Sequence, residues 1–220
     1  RGRPGVCYDY SIDILKDKMV SVLNKILSID LNDGVKFDLV NISDIREEDV
    51  YGGNKYHITG RVNNTKVNLE IDITTGDKVT PRELKFKYPL LFEDRSILIN
   101  SYNIETILAE KLETVLRRGK YNSRMKDYYD IYFFLTKLRN EFDINILKDA
   151  INNTCTKRES FEYLNVYSQM IKSIIDSDRI KTNWNSYSKK NSYAKNIEVD
   201  QIMILLNDFI KELNLELVTV

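Results

Sequence analysis

The sequence predicts an α+β protein, with a mixed sheet in residues 1–100 followed by a helical bundle in 101–220. Three features lead there. Apolar and polar side chains alternate in 35–42, 56–62 and 66–73, the period-2 pattern of strands with one buried face. From about residue 101 the apolar spacing lengthens to that of an amphipathic helix. No proline follows Pro89, so the second half lacks the residue that most sharply breaks helices.

Along the chain, residues 1–10 carry Gly and Pro punctuation without periodicity, and an irregular start is expected. Ile12, Leu15, Met19, Val22, Leu23, Ile26 and Leu27 fall at helical spacing and predict a helix over 11–27. Asn32-Asp33-Gly34 is a turn, and Asn63-Asn64 joins the second and third strands as a tight hairpin, because asparagine tolerates positive φ. Pro81 keeps the third strand from resuming as a central one. One further short strand is expected, at 84–88 or at 96–100. Helices follow over 103–118, ending in Arg117, Arg118 and Gly119; over 123–138, with Ser123 as cap; and over 144–152, 161–175 and 199–213. The polar stretch 187–196 reads as a loop.

The 220 residues suffice for one sizeable core or two small domains, expected here as an α/β domain in 1–100 and a helical domain in 101–220. A content of 42% hydrophobic and 30% charged residues is that of a soluble globular protein. Basic and acidic residues balance at 33 each, but 78–126 holds 11 basic and 6 acidic side chains and is the one basic region. Cys7 and Cys155 are too few for a disulfide framework and have no metal-ligand partner at useful spacing, so a reducing cytoplasm is the economical expectation. His57 is the only histidine, and it falls in a strand; any Ser-His-Asp mechanism would have to run through it. No apolar run is long enough for a membrane span.

Four acidic or basic features stand out. Glu70 and Asp72 alternate with Leu69, Ile71 and Ile73, which puts both carboxylates on one face about 7 Å apart. They form either a solvent-facing acidic edge or the carboxylates of a polymerase-like site. Lys111 lies within the apolar stripe made by Ile107, Leu108 and Val115, so it either snorkels out or reaches into a cleft to hold a triphosphate. Asp127 and Asp130 share a face near the start of their helix, where the macrodipole favours negative charge. Asp130 also turns inward beside Ile131 and Phe134 and needs a cation, for which Lys111 or Arg124 is available. The run Arg117, Arg118, Lys120, Arg124 and Lys126, with Tyr121 inside it, is either a phosphate or RNA-backbone surface or a solvated helix connection.

Five blocks carry a resemblance: Ile45 to Gly53 (IREEDVYGG), Leu69 to Asp77 (LEIDITTGD), Phe92 to Ile97 (FEDRSI), Glu105 to Thr114 (ETILAEKLET) and Arg124 to Tyr132 (RMKDYYDIY). Together they resemble the AbiEii/AbiGii family of nucleotidyltransferase-like toxins, from about Leu31 through Trp184 and the segment Asn191 to Lys195. The resemblance implies a polymerase-β-type core joined to a helical bundle, acting in phage abortive infection or as the toxin of a type IV toxin–antitoxin pair with a cognate antitoxin. It implies a nucleoside triphosphate as substrate, Mg²⁺ as cofactor, and tRNA or another RNA as acceptor. The family's third, metal-binding carboxylate falls on Asp72 and its lysine on Lys111. The basic residue with Asp-x-x-Asp falls on Lys126, Asp127 and Asp130, with Arg124 beside them for the nucleotide. One departure stands against these matches. The family opens with a Gly-Ser or Gly-Gly turn followed about ten residues later by Asp-x-Asp, whereas here only Asp9 and Asp13 are near, and Ser11 to Leu15 carries Leu15 where the second Asp would stand. Two expectations follow: a Mg²⁺-dependent transferase whose Asp-x-Asp lies upstream of an N-terminally incomplete sequence, or a non-catalytic nucleotide- or RNA-binding module that has lost that site.

Overall fold

The computed structural model describes residues 16–44, 53–74 and 78–215. They fall in two compact units, one within residues 10–77 and the other from residue 78 onward. The protein is α+β: among the described residues one helix precedes five strands, and the remaining helices follow them.

The first unit contains α1 (Lys16–Leu27) and the strands β1 (Val35–Asp44), β2 (Gly53–Val62) and β3 (Thr65–Thr74). The strands form an antiparallel sheet in the order β1-β2-β3. Asn63 takes φ +50°, and the two-residue Asn63-Asn64 loop sets the β2–β3 register with Val62 opposite Thr65. A register shift at Leu39/Asn41 releases Val40 to solvent. One sheet face carries Phe37, Tyr56, Ile58, Leu69 and Ile71, of which Tyr56 and Ile58 on the central strand are buried. Gly60 sits on that face because the Phe37 ring passes above it; a Cβ there would meet the ring at 3.1 Å. The opposite face is polar. Asp9, Asp13 and most of the 45–53 block lie outside the described residues.

The second unit opens with a hairpin, β4 (Leu84–Pro89) and β5 (Ser96–Ser101). Both candidate strands therefore form, paired with each other and closed by Leu90 N–H donating to the Arg95 carbonyl at 3.0 Å. All described strand pairs are antiparallel, in two separate sheets. The helices are α2 (Ile104–Arg118), α3 (Met125–Lys137), α4 (Ile144–Lys157), α5 (Phe161–Asn165), α6 (Tyr167–Ile175), α7 (Asp178–Lys190) and α8 (Val199–Leu213). Their core joins Leu108, Leu112 and Val115 of α2 to Tyr128 and Ile131 of α3, Leu147 and Ile151 of α4, and Ile202 and Leu206 of α8. Among the described residues no helix is long and apolar enough to cross a membrane.

Three sequence expectations are corrected here. The helix expected over 161–175 breaks at Val166, where φ −110° and ψ 24° leave the helical region, because Asn165-Val166 pairs two weak helix formers. Ser123 is not the cap of α3; the helix starts two residues later and the Asn122 side chain instead accepts from Arg124 N–H at 3.0 Å. The expected loop at 187–196 begins only after Lys190. α7 precedes it, followed by a 3₁₀ turn at Ser192–Ala194. Trp184 anchors α7: it is buried, and its indole N–H donates to the Ile197 carbonyl at 2.7 Å. Trp184→Ala is expected to destabilise the second unit by about 3–5 kcal/mol through the cavity and the orphaned carbonyl. Chemical denaturation followed by helical circular dichroism measures this, with Trp184→Phe falling between the two.

Candidate functional site

α2 is fixed at its start by a polar knot. Asn103 caps it by accepting from Thr106 N–H at 3.3 Å and donates to the Thr80 carbonyl at 2.6 Å, while Thr80 N–H donates to the Thr106 hydroxyl at 3.0 Å. Gly119, at φ +50°, ends the helix in a conformation that side chains resist. The short turn at Gly119–Tyr121 then reverses the chain into α3. The two helices thereby present one side to each other.

On that side Lys111 of α2 meets both acids of α3. Its Nζ lies 2.7 Å from Asp127 Oδ1 and 2.8 Å from Asp130 Oδ2. The side chains are 19% exposed for Lys111, 7% for Asp127 and 16% for Asp130. Burial alone would depress the lysine pKa, but the charges of Asp127 and Asp130 and their hydrogen bonds outweigh it and hold the amine above its ordinary value. Lys111 is thus an ammonium at neutral pH, with two of its three N–H donors on carboxylates and one left for another acceptor. Two more cations close the cluster from the solvent side. Lys126 Nζ lies 2.6 Å from Asp130 Oδ2, and Arg124 Nε lies 3.4 Å from Asp127 Oδ2; both cations are more than half exposed. Three cations around two carboxylates leave an excess positive charge on the outer rim, the arrangement that receives an anion such as a phosphate.

Asp72 lies in the other unit. On the polar face of its sheet, Lys55 Nζ is 3.0 Å from Glu70 and 3.5 Å from Asp72, whose side chain is 56% exposed. The hydrogen bond to Glu70 and the charge of Asp72 hold the Lys55 amine up, and the hydrogen bond and charge of Lys55 hold the Glu70 carboxyl down. His57 stands opposite Glu70 and diagonal to Ser43, with Ser43 Oγ 3.0 Å from His57 Nε2 and His57 Nδ1 3.4 Å from Glu70. The string looks like a nucleophile, base and orienting acid. It lies open on a sheet face, however, and Glu70 is shared with Lys55, so it is read as cross-strand polar pairing.

The fit to a divalent metal is poor. Among the described residues no group of three or more His, Cys, Asp or Glu side chains could hold a metal ion. Glu70 and Asp72 share a lysine, and Asp127 and Asp130 are taken by three cations, whereas Mg²⁺ demands six oxygen ligands in near-octahedral order.

Sequence reading did not single out a second charged cluster on another side of α2. Glu113, almost wholly buried, takes Arg117 Nε at 2.7 Å and Arg158 Nη1 at 2.7 Å. Only the i,i+4 spacing of Glu113 and Arg117 was visible in the sequence; Arg158 arrives from beyond the end of α4.

The model of the nucleotidyl transferase AbiEii toxin family, of type IV toxin–antitoxin systems, matches residues 8–203. The chain belongs to this family. By family it is a nucleotidyltransferase-like toxin. No match was found among curated proteins. Two solved Helicobacter pylori structures are similar. One, a candidate nucleotidyltransferase, has 14% identity and a TM-score of 0.40 over 82% of this chain and 67% of its own. The other, JHP933, has 13% identity and a TM-score of 0.39 over 80% of this chain and 64% of its own. Both are distant likenesses, and this AbiEii-family chain spans about two thirds of each.

A raised lysine pKa stabilises the fold fully below the unfolded value of about 10.4, and that contribution is lost as pH climbs through the higher folded value. The difference in melting temperature between wild type and Lys111→Met is therefore expected to be constant from pH 7 to about 10. It should shrink above that; thermal melts across pH 7–12 read this directly.

Proposed function

We propose that this AbiEii-family protein transfers a nucleotide from a nucleoside triphosphate to an acceptor hydroxyl, with tRNA or another RNA as the acceptor class. In this reading it acts in the cytoplasm as a phage-defence toxin restrained by a cognate antitoxin. The observation that carries the reading is the ammonium of Lys111, gripped at 2.7 and 2.8 Å by two acids of the next helix beside two further exposed cations. A lysine positioned in this way keeps one N–H for a phosphate oxygen, and Lys126 and Arg124 supply the remaining counter-charge. Asp127 and Asp130 are positioning residues that hold Lys111 charged and directed. In the transfer, the acceptor hydroxyl loses its proton to water and its oxygen bonds to the α-phosphorus as the bond to pyrophosphate breaks. The cations here bear on the charge that collects on the departing phosphates. Asp72, paired with Lys55, is given no step in this reading, and Mg²⁺ enters no step assigned to described residues.

The second reading, a nucleotide- or RNA-binding module without metal chemistry, is favoured by the pairing of Asp72 with Lys55. One set of measurements separates the two. Labelled-nucleotide transfer to bulk RNA with Mg²⁺, triphosphate binding and growth inhibition are compared for wild type, Lys111→Ala and the exposed-site variant Lys126→Ala. Lys111→Ala is expected to weaken triphosphate binding about 100-fold and to abolish toxicity, while its circular dichroism spectrum stays native. Lys126→Ala is expected to cost about tenfold in binding. Full toxicity in Lys111→Ala overturns the assignment. Lysine-dependent binding without transfer selects the module.

A further inference from the structure

Beside the charged cluster lies an aromatic surface that phosphate chemistry leaves unused. Lys126, Tyr129, Asp130 and Phe133 lie three, four and seven positions apart on α3 and so share one side of it. The Phe133 ring stacks on Tyr129 with centroids 6.3 Å apart. Tyr193, from the 3₁₀ turn before α8, leans on the same Tyr129 at 4.5 Å yet stays 45% exposed. Its position is fixed at both ends. The Tyr193 hydroxyl lies 3.0 Å from the Tyr187 hydroxyl and donates to Asn191 Oδ1 at 3.1 Å, while the neighbouring Ala194 is buried in the core. Asn191 is itself tied to α7, donating to the Tyr187 carbonyl at 2.8 Å. Burial, then Tyr193, then the charge of Asp130 push the Tyr187 phenol up, which puts this aromatic group within electrostatic reach of the cluster. A tyrosine that only filled the core would be buried; this one is tied by its hydroxyl and packed on Tyr129 yet keeps 45% of its surface exposed.

We propose that Tyr193, backed by Tyr129, is the stacking platform for the base of the nucleoside triphosphate whose phosphates Lys111 and Lys126 hold. The proposal rests on the reading of the charged cluster as a triphosphate site. Lys126 and Tyr129 are separated by about 4.5 Å of helix rise on one side of α3, so the Tyr193 ring resting on Tyr129 and the amine of Lys126 belong to the same stretch of that surface. An aromatic face with a cation beside it matches the two ends of a nucleotide, a π-surface and an anion. Stacking reads any base by its face, so the platform tolerates all four bases with graded preference and no hydrogen-bond code.

Calorimetric titration of the chain with ATP and with inorganic tripolyphosphate tests this. Wild type is expected to bind ATP about tenfold more tightly than tripolyphosphate. Tyr193→Leu, which keeps apolar packing on Tyr129 but has no π-face, should erase that difference without changing tripolyphosphate affinity, and Tyr193→Trp should keep it. Equal binding of the two probes by wild type, or ATP affinity untouched in Tyr193→Leu, overturns the platform. So does a Tyr193→Leu loss confined to a single-stranded RNA oligonucleotide, which would give the ring to the acceptor. Tripolyphosphate that fails to bind, or binds as well to Lys111→Ala, overturns the triphosphate site itself and the platform with it.

Discussion

An ammonium on the inward side of a helix cannot stay charged among apolar side chains without partners, and in this protein Lys111 finds them on the neighbouring helix. That requirement fixes how α2 and α3 face each other. Rotating either helix by one residue would strand Asp127, whose carboxylate is nearly closed off from water. Another side of α2 repeats the device with the signs exchanged, a buried glutamate between Arg117 and Arg158. α2 is therefore held in rotation by a lysine among acids and by an acid among arginines, with the apolar stripe of Leu108, Leu112 and Val115 completing the contact.

Much of this was visible in the sequence. The alternation of β1, β2 and β3 placed the strands to within a few residues, and the apolar registers of α2 and α8 placed those helices almost to the residue. The inward position of Asp130 already demanded a cation, and Lys111 was one of the two candidates. α7 escaped because its inward face is only Ile180, Trp184 and Tyr187 in an otherwise polar run, too narrow a stripe for periodicity to register. Contacts between segments distant in sequence were also hidden, as with Arg158 against Glu113 and Tyr193 against Tyr129. No local pattern encodes such pairs.

The sheet unit shows the limit of reading chemistry from alternation. Glu70 and Asp72 share a face, as period 2 requires, but β2 brings Lys55 and His57 to the same face, and these partners decide what the carboxylates do. Among the described residues β3 is an edge strand with both faces open, so its acids are held by salt links rather than by a core.

Lys111 and Lys126 both reach the same oxygen of Asp130, Oδ2, the first mostly buried and the second more than half exposed. The buried amine alone is enough to keep that carboxylate compensated, so the outer amine is a second counter-ion that can swing away without stranding anything. In the proposed triphosphate site, this outer amine is the donor that an arriving phosphate would meet first, and its release strands no buried charge.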